Sequence, residues 1–508
     1  MSVAGKPTRS VLILTLIVAF LPLPSIADDF DAERFAGIVD DGMAMWHVPG
    51  MAVAVINDGE LVFQQGFGVT AMDDGTAVDE HTLFANASTT KAMIVSAILM
   101  LADEDKLSLD DLVIDHIPEL HFGDASLTQQ LTLRDLLAHR TGLPSTDFWT
   151  FAGLMPLDEQ LERLRHVVPV AAPRTRLIYQ NTMFEIAGLI IERISGQRWD
   201  EFLTERLWGP LGMYETFGMR GDIESDMTHV LPHNYVRGEV RQVAWDLPVD
   251  RADAAGSAWT SIHDMSLWAQ FLLRGGVTED GTRLISEDGM HNMFEPHQLS
   301  TPEDFYPTVE LTKPHWRTYG LGWFQQDFQG RAIDFHTGSL AGLIAIIGLD
   351  RAAGKAVIVL GNRDHAEMRH ALLWEVMDTS APSGKRDWNQ DVFDLYEKRL
   401  ETDREEWRET ELARLTGTKL RLPVDAYAGT YRSIVNGDIE ITISDGELSL
   451  HLAMGSYKMS HWHQDTFLIV DDDWEFGSQA VFAFDTDGSI SSFGFFDDAF
   501  IRVNTAGH

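Results

Sequence analysis

The stretch "FANASTTKAM", residues 84–93, holds the question on which the fold turns. It places Ser88 three positions before Lys91, and the long apolar run "MIVSAILMLADEDKL" follows. Met93, Ala97, Met100 and Leu101 recur at helical spacing, which predicts a helix from Ser88 to about Lys106. On that helix Lys91 stands about one turn from Ser88 on the same face. A serine hydroxyl becomes a useful nucleophile only when a base takes its proton. A lysine kept partly neutral by burial and a neighbouring cation can be that base. A helix start at Ser88 would also turn its amides toward the alkoxide and the later oxyanion. The plain alternative is a helix cap at Ser88 and a solvated Lys91. About one S-x-x-K arises by chance in a chain this long, so the motif needs partners.

Two further stretches offer them. "RLIYQNTMFEIAG" carries Tyr179 and Asn181 just ahead of a helix expected to start near Thr182. A tyrosine beside a lysine can relay the nucleophile's proton to a leaving group, and Asn181 could hold a substrate amide. The alternative is a packed aromatic and a helix cap. "DFHTGSLAG" carries His336, Thr337, Gly338 and Ser339. A glycine in a strand lets a substrate backbone approach closely. The N–H groups of Ser88 and Ser339 could form an oxyanion hole. His336 would supply a donor or a positive charge near the substrate; the alternative is a strand end with incidental polar residues.

Composition bounds the rest. The chain has 508 residues, enough for two or three domains, with 44% hydrophobic and 23% charged residues. Asp and Glu number 78 against 39 Lys and Arg, which argues against nucleic acid or an anionic membrane surface as a bulk-charge partner. There is no cysteine, so disulfides, thiol nucleophiles and thiolate metal sites are excluded. Lys6 and Arg9, the short apolar core "VLILTLIVAFLPL" and "SIA" at 25–27 read as a signal peptide over residues 1–27. The expectation is an exported protein, periplasmic or extracellular in a bacterium, with no membrane attachment after cleavage. An uncleaved anchor is the alternative.

Along the chain, "MAVAVINDGELVFQQGFGVT" (51–70) reads as a hairpin, residues 128–290 are rich in helix signals, and β character returns at 319–362. The order strand, helices, strands predicts an α/β (α+β) domain over 28–380 whose first and last strands meet in one sheet, with a helical insertion between them. Residues 381–422 are dense in charge, with spaced Val392, Leu395, Leu400 and Trp407, and read as a solvated amphipathic linker helix. Residues 423–508 read as short strands joined by turns such as "SDGE" and "TDGS", a separate all-β sandwich or barrel.

S-x-x-K, Y-x-N and H-T-G occur in that order. The combination resembles the serine β-lactamase and penicillin-binding-protein superfamily. It is closest to the class C β-lactamase-like serine hydrolases, also called CubicO group peptidases. "LTLRDLLAHRTGLP", "LWGPLGM", "AAGSAWTSIHDMSLWAQFL" and "YGLGWF" also look like that family. "LPVDAYAGTYRS" and "HWHQDTFLIV" look like the lipocalin-like β domain that follows the hydrolase domain in one branch. The resemblance implies an antiparallel sheet flanked by helices, a helical subdomain and a C-terminal all-β barrel. It implies that Ser88 is acylated, that Lys91 and Tyr179 share base duty, and that Asn181 contacts the acyl side chain. His336 stands where lactamases have a lysine, and a neutral histidine grips a β-lactam carboxylate less well.

The expected activity is a serine hydrolase, a peptidase or amidase on small or D-amino-acid-containing peptides. A carboxylesterase on small acyl esters is the alternative; a β-lactamase and a non-catalytic peptidoglycan-peptide-binding protein rank below both. No cofactor is implied, and a homo-oligomer is compatible with the β domain. His461 and His463, in "HWH", lack an evident third metal ligand. His365 and His370 do not share a helix face, and Asn362 reads as a turn residue. The loops around 145–170 and 290–318 carry no readable motif.

Overall fold

The computed structural model describes residues 30–503 except 74, 153–154, 244–252, 381–383, 472–474 and 497; the expected signal peptide lies outside the described residues. The "NDGE" turn joins the strands Gly50–Asn57 and Glu60–Gly68 as a hairpin. Asp58 and Gly59 both take positive φ there, the conformation a tight hairpin requires. Gly50–Asn57 then pairs antiparallel with Lys355–Gly361, from Met51 opposite Gly361 to Ile56 opposite Ala356. The two ends of this first domain therefore close one sheet across about 300 intervening residues.

That sheet has eight strands, in the order 60–68, 50–57, 355–361, 343–350, 331–340, 324–328, 317–319 and 298–299, and every pairing is antiparallel. Every residue of Leu343–Asp350 is buried, which an antiparallel strand shows only when both faces are covered. The helices Ile262–Leu273 and Met368–Met377 pack on the central strands. The apolar helix Thr90–Asp103 runs through the middle of the main core, with twelve consecutive residues, Thr90 to Leu101, buried. A helix apolar all round belongs inside a large core.

The Arg331–Leu340 strand positions the chemistry. Its first half, Arg331 to Phe335, pairs with Phe324–Phe328. From His336 onward its pairing continues only on the other side, with Leu343–Asp350, and the turn Ala87–Thr89 packs along the half so freed.

The charged segment after residue 381 forms the helix Trp388–Leu412. Its first half is not a free linker. Trp388, Asn389, Val392 and Leu395 are buried, and Trp46 meets Phe393 and Tyr396 edge-on at 5.2 and 6.2 Å. Beyond it, eight antiparallel strands from Gly429–Ser433 to Asp498–Arg502 close into a barrel, Tyr431 opposite Arg502 and Arg432 opposite Ile501. Burial alternates along the strands, and Tyr427, Tyr431, Phe467, Phe482, Phe493 and Phe500 fill the interior with edge-on and stacked contacts. The described residues from Ala32 onward form one compact unit, barrel included.

Candidate active site

Between Thr82 and Leu101 Ser88 is the one residue left part-exposed. It sits in a 3₁₀ turn, Ala87–Thr89, that leads into the helix from Thr90. Ala87 holds φ +47, a left-handed conformation for a residue with a Cβ, and such strain persists only when the surroundings enforce it. Two glycines let those surroundings close in. A Cβ at Gly338 would meet Ala87 Cβ and Asn86 O at 2.7 Å and Ser88 N at 2.8 Å; one at Gly256 would meet Ala87 C at 3.1 Å and Ser88 N at 3.3 Å. The strand thus presses directly on the turn that carries Ser88.

Lys91 follows one turn on and is wholly buried. Its Nζ lies 3.0 Å from Ser88 Oγ, 2.8 Å from Asn181 Oδ1 and 2.5 Å from Ala255 O. Nζ also stands over the rings of Tyr179 and Phe184, at 5.0 and 5.4 Å. Burial lowers its pKa to about 7, against the pull of Asp147 and Glu185. The geometry assigns the protons. Asn181 Oδ1 and Ala255 O can only accept, so a neutral lysine gives them its two N–H groups and turns its lone pair to the Ser88 hydroxyl.

Tyr179 precedes the helix Asn181–Ser195, which starts one residue earlier than the sequence suggested. Its ring packs on His139 at 4.1 Å and on His336 at 6.0 Å. Its hydroxyl oxygen is buried with no well-formed hydrogen bond; burial raises its pKa well above 10, and the adjacent Ser88 hydroxyl opposes that rise. Asn181 was expected to face substrate. Both ends of its amide also bond within the protein: Oδ1 accepts from Lys91, and Nδ2 donates one hydrogen to Asp147 Oδ1 at 2.9 Å.

His336 departs most from expectation. It is buried, its Nδ1 lies 2.6 Å from Thr337 O and its Nε2 3.1 Å from the Tyr319 hydroxyl. A carbonyl only accepts, so Nδ1 carries the proton and Nε2 accepts from Tyr319. Burial, then the nearby Lys91, lower its pKa to about 3. His336 therefore offers substrate neither a free donor nor a positive charge, and the physical reason is that its ring is enclosed by Tyr179, Tyr319 and Phe324. Thr337 Oγ1 is hydrogen-bonded to the Tyr306 hydroxyl. Gly338 O and Ser339 Oγ accept from Arg369, whose guanidinium is held by both oxygens of Glu367. That buried pair anchors the stretch of strand that packs on the Ser88 turn.

Sequence reasoning missed four residues of this cluster. His139 and Tyr319 lay inside the segments "LLAHRTGLP" and "YGLGWF", which carried a family likeness but no assigned role. His139 Nδ1 accepts the Gln180 N–H at 3.1 Å, which fixes the backbone between Tyr179 and Asn181. Glu185, one turn after Asn181, is buried and accepts from Thr150 and Gln160 at 2.9 Å each; burial raises its pKa to about 8. Asp147 sits in a loop without a motif. Other candidates have structural partners. Asn362 is buried, accepts from Gly50 N and donates to Val69 O and Thr70 O. His370 is buried against Tyr306 and Phe335, and His365 pairs with Asp364. In the barrel, His461 faces Gln464 O and His463 accepts from Leu415 N.

The β-lactamase family profile matches residues 35–380, and residues 413–506 match a domain of unknown function, DUF3471. The unguisins hydrolase ungD′ of Aspergillus campestris (strain IBT 28561) is 28% identical over 427 residues, covering 78% of this chain and 75% of its own. Penicillin-binding protein 4 of Amycolatopsis lactamdurans is 28% identical over 326 residues, 62% of this chain and 81% of its own. Among solved structures, the octameric penicillin-binding protein homologue from Pyrococcus abyssi superposes with a TM-score of 0.62 at 18% identity, over 93% of this chain and 100% of that one. The D-amino acid amidase from Ochrobactrum anthropi SV3 with D-phenylalanine gives 0.57 at 21% identity, over 68% and 99%. These structural likenesses concern the fold. With the profile spanning most of its length, the chain belongs to the β-lactamase family and is a serine hydrolase of the β-lactamase and penicillin-binding-protein type.

Proposed function

We propose that this protein is an exported amidase or peptidase that works through an acyl-enzyme on Ser88, acting on small or D-amino-acid-containing peptides. The observation that carries the reading is the environment of Lys91 Nζ, which has two obligate acceptors and Ser88 Oγ within 3.0 Å. Neutral Lys91 takes the proton of Ser88 Oγ as the oxygen attacks the substrate carbonyl. The N–H groups of Ser88 and Ser339 receive the oxyanion. Tyr179, with its hydroxyl against Ser88, passes the proton on to the leaving nitrogen. Water then attacks the acyl-enzyme, its proton going to the same Lys91–Tyr179 pair, and Ser88 is restored.

The substrate class rests on two supports. His336 is neutral and enclosed, so the position held by a lysine in lactamases brings no fixed cation to grip a β-lactam carboxylate. This favours neutral amides over β-lactams. The similar proteins point the same way, since they include a D-amino acid amidase and a D-stereospecific amidohydrolase from Streptomyces sp.. A signal peptide at residues 1–27 would place the reaction outside the cytoplasm.

The test compares mature protein with Ser88→Ala on a fluorophosphonate, p-nitrophenyl butyrate, a chromogenic cephalosporin and a panel of L- and D-aminoacyl amides. Labelling of Ser88 and serine-dependent turnover of amides, the D-series foremost, are expected. Absence of labelling and of serine-dependent turnover would overturn the enzymatic reading. Turnover of the ester with none of any amide would make the protein a carboxylesterase instead. The N-terminal sequence of the exported protein, expected to begin after Ala27, checks the signal peptide.

A further inference from the structure

The short π-helical turn Phe148–Ala152, entered through Asp147, is gripped alternately from two sides. On the side of the Asn181–Ser195 helix, Thr146 Oγ1 bonds Thr182 Oγ1 at 2.8 Å, Asp147 Oδ1 accepts from Asn181 Nδ2 at 2.9 Å, and Thr150 donates to Glu185 at 2.9 Å. Of the residues between, Phe148 and the Trp149 indole N–H reach the barrel, while the Trp149 ring lies in the hydrolase core. Phe148 packs against Phe496 and Phe500, with centroids 5.5 and 6.2 Å away. Trp149 is fully buried and donates its indole N–H to Asn436 Oδ1 at 3.0 Å. Ala152 belongs to the barrel's core cluster, while Val435 of the barrel packs against the hydrolase core.

The barrel side of this contact is itself rigid. Asn436 lies in the turn between the strands Gly429–Ser433 and Gly437–Ser444. Its Nδ2 donates to Asp498 Oδ2 at 2.8 Å, and the Ser433 hydroxyl donates to the same oxygen. The N–H groups of Val435 and Asn436 donate to Ser433 Oγ at 3.0 and 2.9 Å. Arg163 of the hydrolase portion donates to Ile434 O at 3.0 Å. Asn436 is thus held with its acceptor toward Trp149.

Asp147 matters because a carboxamide can sit either way round. A carboxylate accepts only, so Asp147 forces Asn181 to present Nδ2 to it and Oδ1 to Lys91. Turned over, Asn181 would offer Lys91 a donor, and a neutral lysine would no longer be constrained to turn its lone pair to Ser88.

We propose that the C-terminal barrel is a positioning element of the active site: its Ser433–Asn436 turn holds Trp149 and, through it, sets Asp147 against Asn181 and Lys91. The proposal rests on Lys91 being the base for Ser88, and it gives the domain of unknown function a role in catalysis without any contact to substrate. Asn436 and Trp149 are positioning residues.

The experiment uses full-length Asn436→Ala, Trp149→Phe, their double variant, and Val481→Thr as an exposed barrel control. The rate of Ser88 labelling by a fluorophosphonate is followed across pH, with folding checked by circular dichroism. The charged and titratable groups facing Lys91 are Asp147 from the loop, Glu185 from the Asn181 helix, Tyr179, His139 and His336. Of these, Asp147 is the one freed by the substitutions, since Glu185 keeps its bond from Gln160. Its withdrawal removes a negative charge from beside Lys91, so the acid limb moves to lower pH, a change that general loosening of the fold does not produce. Each single variant should label about tenfold more slowly on the plateau, and the double variant no more slowly than the worse single, because both act through one contact. Val481→Thr should match wild type. Wild-type rates and limbs in both singles would overturn the proposal. So would rates that fall only with the folded fraction while the limb stays put. If Asn436→Ala fails to fold, Trp149→Phe, which keeps an aromatic ring, decides on the same criteria. Wild-type protein that does not label at all would overturn the Ser88 reading and this proposal with it, an outcome distinct from the others.

Discussion

Lys91 can satisfy Ser88 Oγ, Asn181 Oδ1 and Ala255 O as a donor only while it carries three protons; losing one reverses the sense of the Ser88 contact. Acylation should therefore rise with pH through an acid limb near 7, the value to which burial lowers Lys91, and level off above it. Lys91→Ala should slow Ser88 labelling by about a hundredfold or more at the plateau, and a wild-type rate would remove Lys91 from the mechanism. His336 makes a second prediction at this scale. Folded, it takes a proton only near pH 3; unfolded, it takes one near its ordinary 6.5. Between those values the unfolded chain binds more protons, so this group's contribution to stability is present above about 6.5 and is lost as pH falls toward 3. Denaturant unfolding at several pH values should show wild type losing stability relative to His336→Asn across that window; parallel curves would contradict it. That Ser88, Lys91, Tyr179 and Asn181 would stand together was legible in the sequence from residue type and short spacing. The true neighbours of Asn181 and His336 were not, because a side chain's partner is set by chain segments tens to hundreds of positions away.

At the scale of elements, the close fit of strand to turn places Ser88. A methyl group at Gly338 would meet Asn86 O and Ser88 N, backbone atoms that cannot swing aside. Gly338→Ala should push the Arg331–Leu340 strand off the Ala87–Thr89 turn and cut Ser88 labelling by about a hundredfold, with the sheet intact by circular dichroism. Labelling at the wild-type rate would show that the turn can yield. The hairpin at 50–68, the helix after Ser88, the late strands and the barrel strands were readable from periodicity and turn residues. The packing of Trp388–Leu412 was not. Its mean composition is that of a solvated helix, yet Val392 and Leu395 are buried and the helix packs on Ala32–Trp46 and Met368–Met377. Periodicity reports which face is apolar and not what covers it.

For the molecule as a whole, the barrel shares residues with the hydrolase core and is more than an appendage. Ending the chain after Leu412 would strip the cover from Phe148 and Ala152 and leave the Trp149 indole N–H without its acceptor. The shortened protein should bind a hydrophobic dye and lose Ser88 labelling; full labelling by a monomeric, dye-silent fragment would refute the shared-core account. What the sequence determined is the chemistry and the family. S-x-x-K, Y-x-N and H-T-G in order point to a serine hydrolase, since each is a pattern of a few adjacent residues. Only the tertiary structure decided how that chemistry is held: a buried neutral His336 in place of an exposed cation, an Asn181 turned by Asp147, and a loop clasped by Asn436 from 287 positions away. Burial and hydrogen-bond geometry depend on everything packed around a residue, and no local pattern contains that information.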